Sequence, residues 1–241
     1  MSDIDVVRAL RRHGLRLDGE RATVWFEAGY LSDAEARRFA GEVNQGIQHL
    51  ADWLGLQLKP GRIRYYVSPG IDISHAFTRA VFLPLRRVIE RSAPYLHETT
   101  HILAPCDACP LWFSEGLASY AQSYVSENLG GYDGQVFASD GNRSIDRDAR
   151  LWLARSEGQA VLYFIAAPGE PPGIVEDRHN VAEPFYVLAQ SFVKFLAERA
   201  GTSAISSLTA AKDFEAGMIE ATRMNAEEWK RQWLEALLQA G

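Results

Sequence analysis

Residues 95–124 read YLHETTHILAPCDACPLWFSEGLASYAQSY, and the rest of the chain is organised around this stretch. It opens with His97-Glu98-Thr99-Thr100-His101, an HExxH. On a helix, His97 and His101 lie four residues apart, so both imidazoles leave from one face. Two neutral nitrogen donors then reach one metal ion, and Glu98, on the adjoining side, is placed to take a proton from a metal-bound water. A catalytic zinc has three protein ligands and an open fourth position, so the pattern requires a third ligand. The best candidate is Glu115, in Leu111-Trp112-Phe113-Ser114-Glu115-Gly116-Leu117-Ala118. The intervening residues 102–114 suffice for one helix to end, a loop to turn and a second helix to cross the first. Pro105 and Pro110, with small residues between them, supply the break. Gly116 and Ala118 would let two helix backbones approach closely.

HETTH followed by PLWFSEGLASY resembles the gluzincin metallopeptidases, whose third ligand is a Glu in a W-x-x-E-G-x-A segment on the next helix. The short His-to-Glu gap is similar to that of the small bacterial peptidase-MA-like members rather than the large aminopeptidases. The resemblance implies one Zn²⁺ per chain held by His97, His101 and Glu115, with Glu98 as general base. The sequence departs from the pattern at Ser119. Some gluzincins carry an Asp there, one turn after the ligand Glu, to orient a histidine, so that partner is unassigned here. The resemblance also implies an oxyanion donor, a Tyr or His from the helical half of the fold. Tyr186 is the first choice, at the start of its helix but also on the apolar stripe. His179, in Asp177-Arg178-His179-Asn180, is the second. His13, His49 and His75 fall outside any ligand spacing and read as surface or packing residues.

Upstream of the motif, Val6 to Arg12 is helical and Ala22 to Glu27 is a short strand. Ser32-Asp33-Ala34-Glu35 is a capping box opening a helix whose apolar positions run from Phe39 to Leu54 and stop at Gly55. Ile63 to Val67 is a second strand. Ala80 to Leu85 is a third apolar run that Pro84 marks as an edge or broken strand. In gluzincins the edge strand borders the cleft and pairs with substrate backbone. The resemblance assigns that place to this run or to neighbouring Val88-Ile89. Ser92 is the expected cap of the HETTH helix, with Pro94 in its first turn.

Downstream, the second motif helix should reach about Glu127, and Leu129 to Asn142 reads as a loop. A helix is expected around Asp148 to Ser156, then an apolar run from Ala160 to Ala167. Pro168 to Gly173 is a hard break. Tyr186, Ala189, Phe192, Val193, Leu196 and Ala200 keep the helical period to Gly201. A short helix from Ser203 to Lys212 follows, then a terminal helix opened by Asn225-Ala226-Glu227-Glu228 and carrying Trp229 and Trp233. Phe185 to Phe192 and this last helix also resemble the helical half of peptidase-MA-like proteins.

The 241 residues suit one large domain or two small ones, and 47% hydrophobic with 23% charged content is globular. A net charge of −6 gives no electrostatic grip on nucleic acid or anionic membrane. No apolar run approaches bilayer length. The N-terminus MSDIDVVRALRRHGLRLDG has no apolar h-region or small-residue cleavage site, so cytoplasmic is the default compartment, although a trimmed secreted form would look the same. The two cysteines, Cys106 and Cys109, form C-D-A-C in the inter-helix loop. Prolines flank them and no second ligand pair exists nearby, so they read as a loop pair, reduced or locally bridged, rather than a redox or metal centre.

The expectation is an α+β fold of the thermolysin-like zincin kind, a single peptidase domain over residues 1–241. A small N-terminal sheet with the zinc helices (about 1–127) would precede a helical C-terminal lobe (about 128–241), with the metal in the cleft between them. The activity expected is zinc-dependent peptide hydrolysis by Glu-assisted attack of a zinc-bound water on a peptide or protein substrate. Endopeptidase action is preferred because no G-x-M-E-N-like segment precedes the zinc helix to grip a free amine. The rival is a non-catalytic zinc-bearing module that binds peptide or protein. A third reading is zinc hydrolysis of a non-peptide amide or ester.

Overall fold

A computed structural model describes residues 2–129 and 144–239. The described chain forms two compact units. One takes in the residues up to Leu103 and those from Ala121 on in a helix that both units share. The other takes in Ala104–Tyr120 and the described residues from 144 onward.

The first unit runs α1 (Asp3–His13), β1 (Leu15–Asp18), β2 (Ala22–Phe26), α2 (Asp33–Leu54), β3 (Ile63–Ser68), β4 (His75–Phe77), β5 (Ala80–Pro84), α3 (Leu85–Ile89) and α4 (Tyr95–Leu103). It closes with the C-terminal half of α5 (Leu111–Leu129). Its five strands lie in the order β1-β2-β3-β5-β4. β2, β3 and β5 are parallel, and β1 and β4 run antiparallel at the two edges. The parallel strands are almost wholly buried, which is why they read as near-continuous apolar runs.

Alternation along each strand makes two faces. Val24, Phe26, Tyr65, Val67, Val81 and Leu83 pack with Phe39, Val43 and Ile47 of α2 and with Tyr95 and Leu96 of α4. On the other face Trp25, Tyr66 and Phe82 pack with Val6 and Leu10 of α1. There the register aligns Trp25, Tyr66, Phe82 and His75 in one row across four strands. Successive ring centroids are 5.0, 5.3 and 4.7 Å apart. The expected capping box holds α2: Ser32 Oγ accepts from Glu35 N–H while the Glu35 carboxylate accepts from Ser32 N–H.

Three expectations are corrected here. The run from Ala80 to Leu85 is not an edge: β5 lies inside the sheet, between β3 and β4. Pro84 is the last strand residue and leads straight into α3, so its missing N–H is lost at the end of the ladder, where it does least harm. Val88-Ile89 belongs to helix α3 rather than to any strand. The strand at that edge is β4. The start of the HETTH helix also lies later than expected: Pro94 C=O takes the first helical hydrogen bond, from Glu98 N–H, while Ser92 N–H turns back to Arg87 C=O.

The second unit begins with the N-terminal half of α5 and continues with α6 (Ile145–Leu153), α7 (Ser156–Leu162), a π-helical turn (Arg178–Ala182), α8 (Glu183–Ala200), α9 (Thr202–Thr209), α10 (Phe214–Thr222) and α11 (Ala226–Gln239). Trp112, Phe113, Phe192, Phe214 and Trp233 form its aromatic centre. Ser191, wholly buried on α8, donates to Asp146 Oδ1 at 2.8 Å and accepts from Trp233 Nε1–H at 3.0 Å. Lys194 Nζ donates to the other oxygen of Asp146 at 2.7 Å. This satisfied network ties α6 and α11 to α8. The loop expected at Leu129 to Asn142 lies outside the described residues, save Leu129, where α5 ends. Among the described residues no helix is long and apolar enough to cross a membrane.

Candidate metal centre

The HETTH segment is held as helix on several sides. Thr99 and Thr100 turn their hydroxyls back to the carbonyls of Tyr95 and Leu96, one turn earlier, which lets two buried hydroxyls sit inside a helix. Since the Thr99 proton goes to Tyr95 C=O, the Tyr65 hydroxyl from β3 donates to Thr99 Oγ1. Burial pushes the Tyr65 phenol well above its ordinary pKa, and Thr99 offsets this only in part, so it stays a protonated donor. From the other side, the buried Gln122 on α5 accepts the His97 backbone N–H at 3.0 Å through its Oε1.

On this helix His97 and Glu98 are 6% and 7% exposed. The His97 and His101 rings meet edge to face, 4.9 Å apart, and their Nε2 atoms face each other at 3.2 Å. Glu115 completes the group: ligand atoms of His97, His101 and Glu115 all lie within 4.8 Å of one another. These residues fit zinc. With Zn–N bonds of about 2.05 Å at a tetrahedral angle, two ligand nitrogens stand about 3.3 Å apart. The 3.2 Å between the two Nε2 atoms matches that edge. Two imidazoles and one carboxylate are also the borderline donor set that zinc takes, and they leave a coordination position open.

Glu115 is in place because α5 packs closely on α8. A Cβ built on Gly116 would lie 2.5 Å from the Ala189 carbonyl oxygen and 2.8 Å from both the Ala189 carbonyl carbon and Val193 Cγ2. Only glycine permits that approach. Tyr186, half-buried, stands one turn before Ala189 on α8. His179 is in the π-helical turn, its side chain 85% exposed and its Nδ1 3.6 Å from the Glu183 carboxylate. Ser119, where the resemblance left a partner unassigned, is buried, and its carbonyl accepts from Gln190 Nε2 at 3.3 Å. Cys106 and Cys109 are bridged to each other, in the loop that joins α4 to α5. Both sulfurs lie against the Leu208 carbonyl of α9.

Two features were not anticipated from sequence. Gln122 is one; its seven-residue spacing from Glu115, which puts both on one face of α5, is the signal that points to it. The other is the pair of polar contacts that His75 makes at the β4 edge, where its ring stacks on Phe82. Its Nδ1 faces the Ile73 carbonyl at 3.0 Å and its Nε2 faces Asp3 Oδ2 at 2.9 Å. Both partners only accept, so the doubly protonated imidazolium alone satisfies both contacts. Partial burial opposes that charge. The Ile73 carbonyl, Asp3 and the more distant Glu98 carboxylate outweigh it and raise the pKa above the usual histidine value.

No protein-family model matches the chain, and no curated protein matches it. Solved structures do. A variant of an M1 zinc metallopeptidase from Deinococcus radiodurans, bound to a Tyr-Ser-Ala substrate, aligns with a TM-score of 0.53 at 16% identity, covering 91% of this chain and 51% of that one. A two-domain M1 zinc metallopeptidase bound to L-tryptophan aligns at 0.51 and 16% identity, covering 91% and 50%. The chain thus spans about half the length of these structures. At this identity the likeness is one of fold, and the fold is that of M1 zinc metallopeptidases.

Proposed function

We propose that the chain is a zinc-dependent peptidase that cleaves internal peptide bonds. The observation that carries this reading is the convergence of His97, His101 and Glu115, with the paired imidazole nitrogens at tetrahedral-edge distance. Zinc, when bound, supplies Lewis acidity toward a carbonyl oxygen and makes water nucleophilic near neutral pH. His97, His101 and Glu115 hold the ion. Glu98, beside His97 but outside the ligand group, accepts a proton from the attacking water and delivers it to the departing amine. Water and one amide bond are consumed, and one carboxylic acid and one amine appear.

The tetrahedral intermediate carries negative charge on the former carbonyl oxygen, and a protein donor lowers its energy. Tyr186, one turn from the Gly116 contact, is the proposed donor; His179 is the alternative. β4 is the edge along which an extended substrate would add as a further strand. The sequence ahead of α4 holds no G-x-M-E-N-like segment to grip a free amine, which favours internal bonds over N-terminal ones. The M1 structures were solved with a tripeptide and a free amino acid bound, which supports a peptide rather than another amide or ester as substrate.

Glu98→Gln tests the reading, because it removes the base and keeps the ligands. Zinc content should be unchanged while kcat on a susceptible peptide falls about 10²–10⁴-fold. An unchanged rate would overturn the proposal. Tyr186→Phe and His179→Ala in the same assay assign the oxyanion donor: the true donor's loss lowers kcat about 10²–10³-fold and leaves KM nearly untouched.

A further inference from the structure

We propose that Gln122 is a positioning residue for the metal site, fixing the axial register of α5 against α4. This rests on the zinc reading of His97, His101 and Glu115. In α4 the first intrahelical hydrogen bond is made by Glu98 N–H to Pro94 C=O. The N–H groups before it, that of His97 included, have no partner inside the helix. His97 is 6% exposed and Gln122 1% exposed, so water has little access to the contact, and Gln122 Oε1 takes the His97 N–H at 3.0 Å. A buried amide left unsatisfied is costly, so the bond strongly prefers one alignment of the two helices.

That alignment is the one the metal needs. Gln122 follows Glu115 by seven residues, so the two side chains leave α5 within about 20° of each other and about 10 Å apart along its axis. His101 follows His97 by one turn on α4. Gln122 meets α4 at His97 while Glu115, further back on α5, meets the pair His97 and His101. One face of α5 therefore carries both the ligand and the register pin. Sliding α5 by one residue moves Glu115 by about 1.5 Å, against a tolerance of about 0.2 Å in zinc–ligand distances. The same contact holds the backbone of a ligand histidine, so its loss disturbs two of the three donors.

The experiment compares wild type with Gln122→Leu, of similar size without an acceptor, and Gln122→Glu, which keeps an oxygen at the helix N-terminus. Zinc affinity is measured by competition with a chromophoric chelator, and amide exchange at His97 is followed by NMR on metal-free protein. Gln122→Leu should bind zinc about 10–100-fold more weakly and lose protection at His97, and Gln122→Glu should restore most of both. Gln122→Leu with wild-type zinc affinity would overturn the positioning role alone, as would equal losses in both variants. Wild-type protein that keeps a protected His97 amide but binds no zinc would overturn the metal reading, and the positioning role with it.

Discussion

The same substitution should have opposite effects at two helical glycines. Gly41 lies on the exposed side of α2, and a Cβ there meets nothing within 4 Å. Gly41→Ala therefore gains only helix propensity, about 1 kcal/mol. For a chain of this size that raises Tm by about 2–4 °C. Gly116→Ala gains the same propensity but places its Cβ 2.5 Å from the Ala189 carbonyl oxygen, roughly 1 Å inside ordinary van der Waals contact. The obstacle is backbone of α8, which cannot rotate aside as a side chain would. Overpacking costs about 1–3 kcal/mol, and a backbone contact belongs at the upper end, so the net loss is about 2 kcal/mol. Tm should fall by about 4–8 °C. Because Glu115 is the preceding residue, zinc affinity should fall as well. Calorimetric melting of both metal-free variants reads the first effect, and chelator competition reads the second. Gly116→Ala melting at or above wild type would refute the close approach of α5 and α8.

Other outcomes follow from the same geometry. Replacing Cys106 and Cys109 together by Ser removes a bridge closing a four-residue loop. The chain-entropy relation puts its worth at about 2 kcal/mol, so oxidised wild type should melt about 4–8 °C above the double variant. Identical melting would show that the bridge constrains little. His75 contributes through a pKa raised in the folded state above the ordinary 6.5. Its contribution is complete below that value and is lost as pH rises through the raised pKa. The Tm advantage of wild type over His75→Gln should therefore be largest below the ordinary histidine pKa and fade as pH rises through the raised one. Parallel pH profiles of the two proteins would contradict the imidazolium assignment.

The convergence of His97, His101 and Glu115 was legible because its logic is local: two histidines four residues apart on one helix, and a glutamate followed by glycine at the head of the next. The capping boxes were legible for the same reason; Asn225 and Glu228 satisfy each other's backbone N–H groups before α11 as their spacing predicts. What escaped depends on partners distant in sequence. β4 is three residues long and is a strand only because it pairs with β5. Its hairpin turns at Thr78, with φ of 57°, so the usual Asn-Gly signal is missing. β1 is only four residues long, and charged at every second position. α10 was missed because Gly217 interrupts its pattern and Arg223, not glycine, takes the left-handed C-cap. Gln122 could be noticed by its spacing from Glu115, but its contact needs the fold that sets it against His97. The Cys106–Cys109 pair was open between reduced and bridged, and the structure bridges it.

The central claim is that His97, His101 and Glu115 form one zinc site. Its most direct test is the metal content of protein purified without added metal, beside His101→Ala and Glu115→Ala. About one zinc per wild-type chain, lost from both variants while their folds persist, is the result predicted. Wild-type protein that takes up no zinc even after reconstitution, or variants that keep it, would contradict the account.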